Sequence, residues 1–171
     1  MKTQYLLLSA AMSALLLVIG CNSSVMQQAE KNKRFFIQGI EAINNRNWDA
    51  LDALIAPNYV RHCQATPDVT VNSLEDFKRY LKQDAATFPD SRITIQHLVA
   101  ERDLVAFYCT YVATQQGPMG PFPASNKQMS LDFSGVHRIE NGKLVETWLT
   151  WDNLAALAQL GHFPPLQQQA K

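Results

Sequence analysis

The sequence carries no excess of charge of either sign. Fifteen lysine and arginine side chains balance fifteen aspartate and glutamate side chains over 171 residues. It also lacks a basic stripe or a long run of like charges. Proteins whose main partner is a nucleic acid present clustered Lys and Arg, so the composition argues against a nucleic acid partner.

Cysteine is scarce as well. Three cysteines, Cys21, Cys63 and Cys109, are too few for a disulfide framework. The sequence has no Cys-x-x-Cys motif and no His/Cys cluster, which predicts that the protein holds no metal. Cys63 and Cys109 fit either one disulfide bond or two free thiols, and the sequence leaves both alternatives open.

Charged residues are missing from a long stretch near the amino terminus. Lys2 precedes an uncharged run from Leu6 to Ile19 that is rich in Leu, Ala and Val. This pattern is typical of an export signal, and the run is too short to span a bilayer comfortably. Residues 17–21 read Leu-Val-Ile-Gly-Cys, which resembles the lipobox of bacterial lipoproteins. The alternative is a plain secretory signal followed by an unrelated cysteine.

The lipobox resemblance implies that Cys21 receives a diacylglyceryl group and that the chain is cut on its amino side. Several acyl chains bury enough methylenes for a lasting anchor to a membrane of the bacterial cell envelope, on the periplasmic or the outer surface. The predicted organisation is a lipoprotein signal peptide over 1–20, a lipidated tether over 21–29, a folded domain over 30–165 and a polar tail over 166–171.

The first half of the predicted domain has the periodicity of helices. Apolar residues recur at helical spacing over Glu30–Asn45 and over Trp48–Ile55, and Pro57 is expected to end the second helix. Residues 72–73, Asn-Ser, supply a cap for a third helix that Pro89 closes.

The second half changes to the period-two pattern of strands. The predicted strands cover Arg92–Glu101, Leu104–Thr114, Met129–Glu140 and Lys143–Asp152, followed by a last helix over Asn153–Gly161. The last two strands are joined by Asn141-Gly142, a strong hairpin signal. Helices followed by an antiparallel sheet predict an α+β fold with helices packed on one sheet face.

Three stretches carry a family resemblance. They are residues 56–62 (Ala-Pro-Asn-Tyr-Val-Arg-His), residues 88–102, which begin Phe-Pro-Asp, and residues 138–152, which contain Glu-Asn-Gly-Lys and end in Trp-Asp. Together they resemble the SnoaL-like polyketide cyclases, also called ester cyclases, of the nuclear transport factor 2-like superfamily. The resemblance implies a cone-shaped α+β fold in which a curved antiparallel sheet wraps around N-terminal helices. Residues 114–117, Thr-Gln-Gln-Gly, depart from the family's frequent Thr-His-x-Gly.

The register of the final hairpin can be derived by hand from a two-residue turn at Asn141-Gly142. This turn pairs Glu140 with Lys143. The expected pairs that share one face are then Ile139 with Leu144, His137 with Glu146, Gly135 with Trp148, Phe133 with Thr150, and Leu131 with Asp152. The apolar members predict a buried face, so the Glu146 carboxylate is expected to raise the pKa of His137. Such a pair fits either a catalytic role or a purely structural one.

The family resemblance implies that Asp152 is an acid/base that removes a carbon-bound proton, after which the enolate closes a ring in an aldol step without metal or cofactor. The alternative for Asp152 is to cap the helix that begins at Asn153. The predicted site residues are Asp152, His62, His137 and Glu146 for catalysis and Tyr59, Trp148, Phe133 and His97 for substrate binding.

Two functions fit this sequence. The first is an exported lipoprotein that binds a small apolar or amphipathic molecule and performs cofactor-free acid/base chemistry, such as cyclisation or isomerisation. The second is a non-catalytic ligand-binding or scaffold lipoprotein. A weak homodimer through the outer face of the hairpin is also expected. That face is predicted to present Ser134, Val136, Val145, Thr147 and Leu149.

The lipid anchor can be tested by Cys21→Ser. We expect the variant to leave the membrane fraction, or to stall as the uncut precursor, because serine offers no thiol for the diacylglyceryl group. Cell fractionation and labelling with a radioactive fatty acid measure both outcomes, and Cys63→Ser is the matched control. A Cys21→Ser protein that stays membrane-bound and acyl-labelled would contradict the lipobox.

Overall fold

The computed structural model describes residues 26–163, so the predicted signal peptide, the predicted lipidation site Cys21 and the predicted polar tail lie outside the described residues. Helix α1 covers residues 26–44. The other elements are α2 Leu51–Leu54, β1 Ile55–Cys63, α3 Leu74–Thr87, β2 Arg92–Glu101, β3 Leu104–Thr114, β4 Gln128–Glu140, β5 Lys143–Trp151 and α4 Asn153–Leu160. None of the helices in this part of the chain is long and apolar enough to cross a membrane.

The five strands form one curved sheet in the order β1-β5-β4-β3-β2. The α+β fold is therefore confirmed. The three pairs among β2, β3, β4 and β5 are antiparallel, whereas β1 runs parallel to β5. The sheet is therefore mixed and not wholly antiparallel as expected, because β1, which was not predicted as a strand, joins its edge parallel to β5.

The core lies between the helices and the inner face of the sheet. Phe36 of α1 packs on Phe107 of β3, with ring centroids 4.9 Å apart. Leu81 of α3 shares a buried cluster with Tyr59 of β1, and Leu160 of α4 belongs to a third cluster at the far end. Burying these apolar side chains holds the helices on one face and leaves space between them and the sheet.

The second predicted helix is much shorter than expected. α2 spans only Leu51–Leu54, and the chain continues directly into β1. Pro57 therefore lies inside a strand, where it is exposed, rather than ending a helix. β1 is an edge strand and its register shifts between Ile55 and Val60, and an edge or irregular strand tolerates a residue without an N–H.

The helix caps follow the sequence closely. The Ser73 side chain accepts a hydrogen bond from the Asp76 amide at 3.0 Å and starts α3. Asp152 accepts from the Ala155 amide at 2.9 Å and starts α4, which ends at Gly161 in the left-handed region, at φ 80°. These contacts satisfy backbone groups that the helix ends leave unpaired.

The hairpin turn is as predicted, but the register beyond it is wrong. Asn141 and Gly142 both have positive φ, and Ile139 pairs with Leu144. Val145 is then an extra residue, so that Glu146 pairs with Arg138 rather than with His137. A one-residue bulge exchanges the two faces of every later position.

The exchange of faces moves several residues of β5. Thr147 and Leu149 point inward, whereas Glu146 and Trp148 point outward. Trp148 is 37% exposed and does not enter the core. The prediction that Thr147 and Leu149 lie on the outer face of the hairpin is therefore wrong. The homodimer through this face stays a prediction.

A second bulge alters β2. The register with β3 shifts between Ile95 and His97. His97 and Val99 consequently face solvent, with Val99 65% exposed, instead of lying in the core as the alternation predicted. The inward positions pass to Leu98 and Ala100.

Both described cysteines are free thiols. Cys63 lies on β1 and Cys109 on β3, with β5 and β4 between them. Three strand spacings amount to about 14 Å, which is beyond the reach of a disulfide bond. Burial raises the pKa of the Cys109 thiol to about 11.

Gly135 allows the closest approach in the sheet. A Cβ at this position would lie 2.6 Å from Cζ of Phe107, 2.9 Å from Cβ of Leu149 and in contact with the Trp148 carbonyl oxygen. Because part of this surrounding is backbone, a side chain cannot be accommodated by rotation alone.

Two glycine substitutions test this packing. Gly135→Ala should lower the free energy of unfolding by about 1–3 kcal/mol, because the added methyl overpacks the inner face. Gly39→Ala, inside α1 with no atom within 4 Å of the new Cβ, should raise it by about 0.5–1 kcal/mol. Urea unfolding measures both, and a neutral Gly135→Ala would contradict the packing described.

Candidate functional site

A cavity of about 740 Å³ lies between the inner face of the sheet and helices α1, α3 and α4. Its lining is mainly apolar and rich in aromatic rings, including Phe36, Phe77, Phe107, Phe133 and Trp151. A cavity of this size and character suits a small organic molecule with a few polar groups.

One polar group on the sheet wall of the cavity is centred on His137. Its Nδ1 lies 2.8 Å from the Thr147 hydroxyl. The imidazole packs against the rings of both Phe36 and Phe107, with centroid distances of 5.1 and 4.8 Å. Burial lowers the pKa of His137 to about 3, so the ring is neutral at pH 7.

The raised pKa predicted for His137 is therefore wrong. That prediction depended on the Glu146 carboxylate opposite the ring, and the bulge at Val145 places Glu146 on the other face of the sheet. Without a carboxylate partner, desolvation disfavours the charged imidazole.

A second polar group belongs to helix α3. Tyr111 donates its hydroxyl hydrogen to Asp84 Oδ2 at 2.9 Å, and both residues line the cavity. Burial raises the pKa of the Asp84 carboxyl, although the Tyr111 hydrogen bond and the charges of Arg46 and Arg61 act in the opposite direction. A carboxylate desolvated in this way is more basic than one in water.

A third polar group is the guanidinium of Arg61 on β1. Arg61 is only 5% exposed and lines the cavity. Its Cζ lies 4.7 Å from the centre of the Tyr80 ring and 5.8 Å from that of Trp151. Two aromatic rings therefore cover the cation, an arrangement that attracts it to their π-faces.

The cavity receives three of the predicted site residues: Tyr59, Phe133 and His137. Their roles in binding and catalysis stay predictions. The remaining predicted residues, His62, His97, Glu146, Trp148 and Asp152, lie outside the cavity lining. Four of these side chains were expected to point inward: His62, His97, Glu146 and Trp148. The two bulges and the position of β1 at the sheet edge turn them outward.

His62, Glu146 and Trp148 instead form a cluster with Arg138 on the outer face. Glu146 accepts hydrogen bonds from His62 Nε2 at 2.8 Å and from Arg138 at 3.0 Å, one at each carboxylate oxygen. The Trp148 ring stacks on His62 at 5.5 Å, and Arg138 lies 5.0 Å from its centre. The partner of Glu146 is therefore His62 and not His137.

Asp152 is exposed and caps helix α4, which confirms the helix-capping alternative. The cavity is lined by its neighbours Trp151 and Asn153 but not by Asp152 itself. Its carboxylate oxygen Oδ1 is held by the Ala155 amide.

Sequence reasoning missed Asp84, Tyr111, Arg61 and Thr147. A signal for Asp84 was present, because it continues the helical spacing of Phe77, Tyr80 and Leu81 and so places a carboxyl on an apolar stripe. Arg61 follows Tyr59 by two residues and shares its face once the segment is known to be a strand.

The chemistry available to the cavity's own residues is hydrogen bonding and proton exchange. Across residues 26–163, no group of three or more His, Cys, Asp or Glu side chains is placed to hold a metal ion. The lining supplies a desolvated carboxyl from Asp84, a neutral imidazole from His137 and the hydroxyl of Tyr111.

Comparisons with known proteins agree with this geometry. The family model for SnoaL-like polyketide cyclases matches residues 35–160. The chain is similar to TsrD from Streptomyces laurentii, with 25% identity and a TM-score of 0.70 over 78% of this chain and 97% of that one. It is similar to wild-type IdmH from Streptomyces antibioticus, with 30% identity and a TM-score of 0.67 over 75% and 96%.

More distant structures share the fold alone. A nuclear transport factor 2-like protein of unknown function from Burkholderia pseudomallei has 15% identity and a TM-score of 0.65, over 76% of this chain and 97% of that one. Among proteins with curated functions, none shows significant sequence similarity to this chain.

The buried imidazole predicts a loss of stability in acid. Unfolded His137, with a pKa near 6.5, binds a proton at pH 5, whereas folded His137, with a pKa of about 3, does not. Acid therefore favours the unfolded state, and between pH 7 and pH 5 this residue alone should cost about 2 kcal/mol of unfolding free energy. The cost becomes small above about pH 7 and grows as the pH falls towards 3.

Urea unfolding between pH 7 and pH 5 measures this dependence. His137→Gln should lose less stability over that interval than the wild type, and His97→Gln, which removes an exposed imidazole, should keep the wild-type dependence. Equal acid dependence in the wild type and in His137→Gln would contradict a neutral, buried imidazole.

Proposed function

Because the chain belongs to the SnoaL-like polyketide cyclase family, we propose that it binds a small, partly apolar molecule in the cavity and performs cofactor-free acid/base chemistry on it. The observation that carries the proposal is the carboxyl of Asp84, which lines an apolar cavity and has its pKa raised by burial. Desolvated carboxylates of this kind serve as general bases.

The proposed reaction begins with proton removal from a carbon next to a carbonyl group. The C–H bond breaks, the proton passes to an Asp84 oxygen, and the electron pair is delocalised onto the carbonyl oxygen as an enolate. In a cyclisation, the enolate carbon then attacks a second carbonyl carbon of the same molecule, and the resulting alkoxide takes a proton back. Isomerisation uses the same first step and returns the proton to another carbon.

The hydrogen-bonding groups of the cavity fit supporting roles in this scheme. Tyr111 donates to one oxygen of Asp84 and leaves the other for the substrate. Since burial also raises the pKa of Tyr80, to about 12, this phenol stays protonated at neutral pH. The neutral His137 imidazole contributes hydrogen bonding without adding charge to the apolar wall.

The proposed location is the bacterial cell envelope, with the domain anchored through lipidated Cys21. The support for this location is the lipobox-like segment 17–21 after an uncharged apolar run. An anchored domain of this kind would meet its ligand outside the cytoplasm or at the membrane surface.

The alternative is a ligand-binding protein without catalysis. It is favoured by the hydrogen bond between the Thr147 hydroxyl and His137 Nδ1, which pairs these two groups with each other within the protein. Binding alone needs such a fixed, largely apolar wall and no exposed base.

A general probe for a desolvated carboxylate separates the two functions. Removal of the ring proton of 5-nitrobenzisoxazole breaks its N–O bond and gives a coloured phenolate. We expect the protein to accelerate this reaction over an equal concentration of acetate, and Asp84→Asn to lose at least about tenfold in rate. The rate should rise with pH as the carboxyl ionises, with a midpoint above that of an ordinary aspartate, since burial raises the pKa of Asp84.

The matched comparison is Asp152→Asn, which removes an exposed carboxylate outside the cavity. A loss in Asp152→Asn with full activity in Asp84→Asn would reinstate the assignment based on sequence. Binding of the probe, followed by calorimetry, without any acceleration would support the non-catalytic alternative.

A further inference from the structure

The guanidinium of Arg61 is a buried cation without a matching anion. Its Nη2 is the one buried side-chain nitrogen or oxygen, among the described residues, that has no hydrogen-bond partner. None of the ion pairs within residues 26–163 includes Arg61. The only hydrogen bond of its side chain there is from Nη1 to the Thr66 hydroxyl, at 3.5 Å.

Arg46, the second arginine that lines the cavity, is by contrast a guanidinium with several hydrogen-bond partners. Arg46 donates to the carbonyl oxygens of Ile43, Phe88, Pro89 and Ser91 and, at 2.7 Å, to the Ser91 hydroxyl. These bonds join α1 to the segment between α3 and β2. Arg46 therefore has a structural role, whereas Arg61 holds no two segments together in this way.

The neighbouring carboxyl does not neutralise Arg61. Asp84 lies near enough for the two charges to influence each other, but its Oδ2 accepts from Tyr111 and no ion pair with Arg61 forms. Burying a charged group without a partner is unfavourable, and two aromatic faces compensate only in part. A buried polar group without a hydrogen-bond partner calls for an explanation, and a ligand that completes its hydrogen bonds supplies one.

We propose that Arg61 binds the carboxylate of an aromatic or polycyclic ligand whose apolar body fills the cavity. The inference rests on the proposed binding function and specifies the ligand class. A guanidinium presents two parallel N–H groups that match the two oxygens of a carboxylate. The aromatic rings of Phe36, Phe77 and Phe107 suit a flat apolar body.

Binding requires the guanidinium of Arg61 to turn towards the cavity. Nη2 is enclosed in the structure, while other parts of Arg61 line the cavity. The bond to Thr66 is long, and Thr66 lies in the segment between β1 and α3, which also lines the cavity through Val69. Turning the guanidinium edge towards a ligand thus costs one weak hydrogen bond and keeps its faces near the two rings.

The test compares 2-naphthoate with 2-naphthamide, which has nearly the same shape and no charge, by isothermal titration calorimetry at pH 7. The wild type should bind 2-naphthoate at least about tenfold more tightly, as expected for a charge-assisted pair in an apolar site. Arg61→Gln should remove this preference and leave the affinity for 2-naphthamide unchanged within about threefold. Arg61→Lys, which keeps the charge without the planar fork, should retain part of the preference.

Arg79→Gln is the matched control, because it removes one positive charge from an exposed side of α3. It should keep the full preference for 2-naphthoate. Equal affinity of the wild type for the two probes, or an unchanged preference in Arg61→Gln, would overturn the carboxylate site while leaving ligand binding in the cavity intact. If neither probe binds, both this inference and the proposed binding of aromatic molecules fail. If Arg61→Gln does not fold, Arg61→Lys decides, and a full preference there would overturn the bidentate pairing.

Discussion

Val145 is one extra residue in strand β5, and the cavity depends on it. The bulge turns Thr147, Leu149 and Trp151 inward and sends Glu146 and Trp148 to the outer face. If the ladder continued without a bulge, a carboxylate and an indole would take the place of a hydroxyl and an isobutyl group on the inner face. The volume and the electrostatics of the cavity therefore follow from one irregularity in hydrogen bonding.

Desolvation governs every polar group that remains inside. His137 has no acid beside it and stays neutral, the pKa of the Asp84 carboxyl is raised, and Arg61 keeps its charge because a guanidinium does not lose its proton in proteins. Three groups with different chemistry thus share one apolar surrounding. Ionisable groups whose pKa values are shifted by burial cluster at sites that bind or react with charged ligands.

The outer face of the same sheet shows the opposite regime. Glu146 pairs with both His62 and Arg138, and the Trp148 ring contacts the same two residues. His62 has a side chain that is 46% exposed, so solvent screens these charges and the pairs contribute modestly to stability. A histidine and a glutamate in this sequence were expected to form a buried site. Glu146 instead pairs with His62, on the exposed face of the sheet, and His137 stays inside without it.

The sequence by itself determined the α+β class, the bounds of β2, β3 and β4 to within a residue, the turn at Asn141-Gly142 and the family. It narrowed the cap of α3 to Asn72 or Ser73 and left capping as one of two roles for Asp152, and the structure shows the caps at Ser73 and Asp152. These features depend on local periodicity, on short-range hydrogen bonds and on motifs that lie within a few residues of each other. Tyr59, Phe133 and His137, three of the predicted site residues, line the cavity, while their roles stay predictions. Only the tertiary structure decided the bulges at Val145 and before His97, the edge strand that carries Arg61, and the meeting of Asp84 with Tyr111. A bulge depends on how a strand fits its neighbours across the curved sheet, and the Asp84–Tyr111 contact joins a helix to a strand 27 residues away, so neither leaves a periodic signal in the chain.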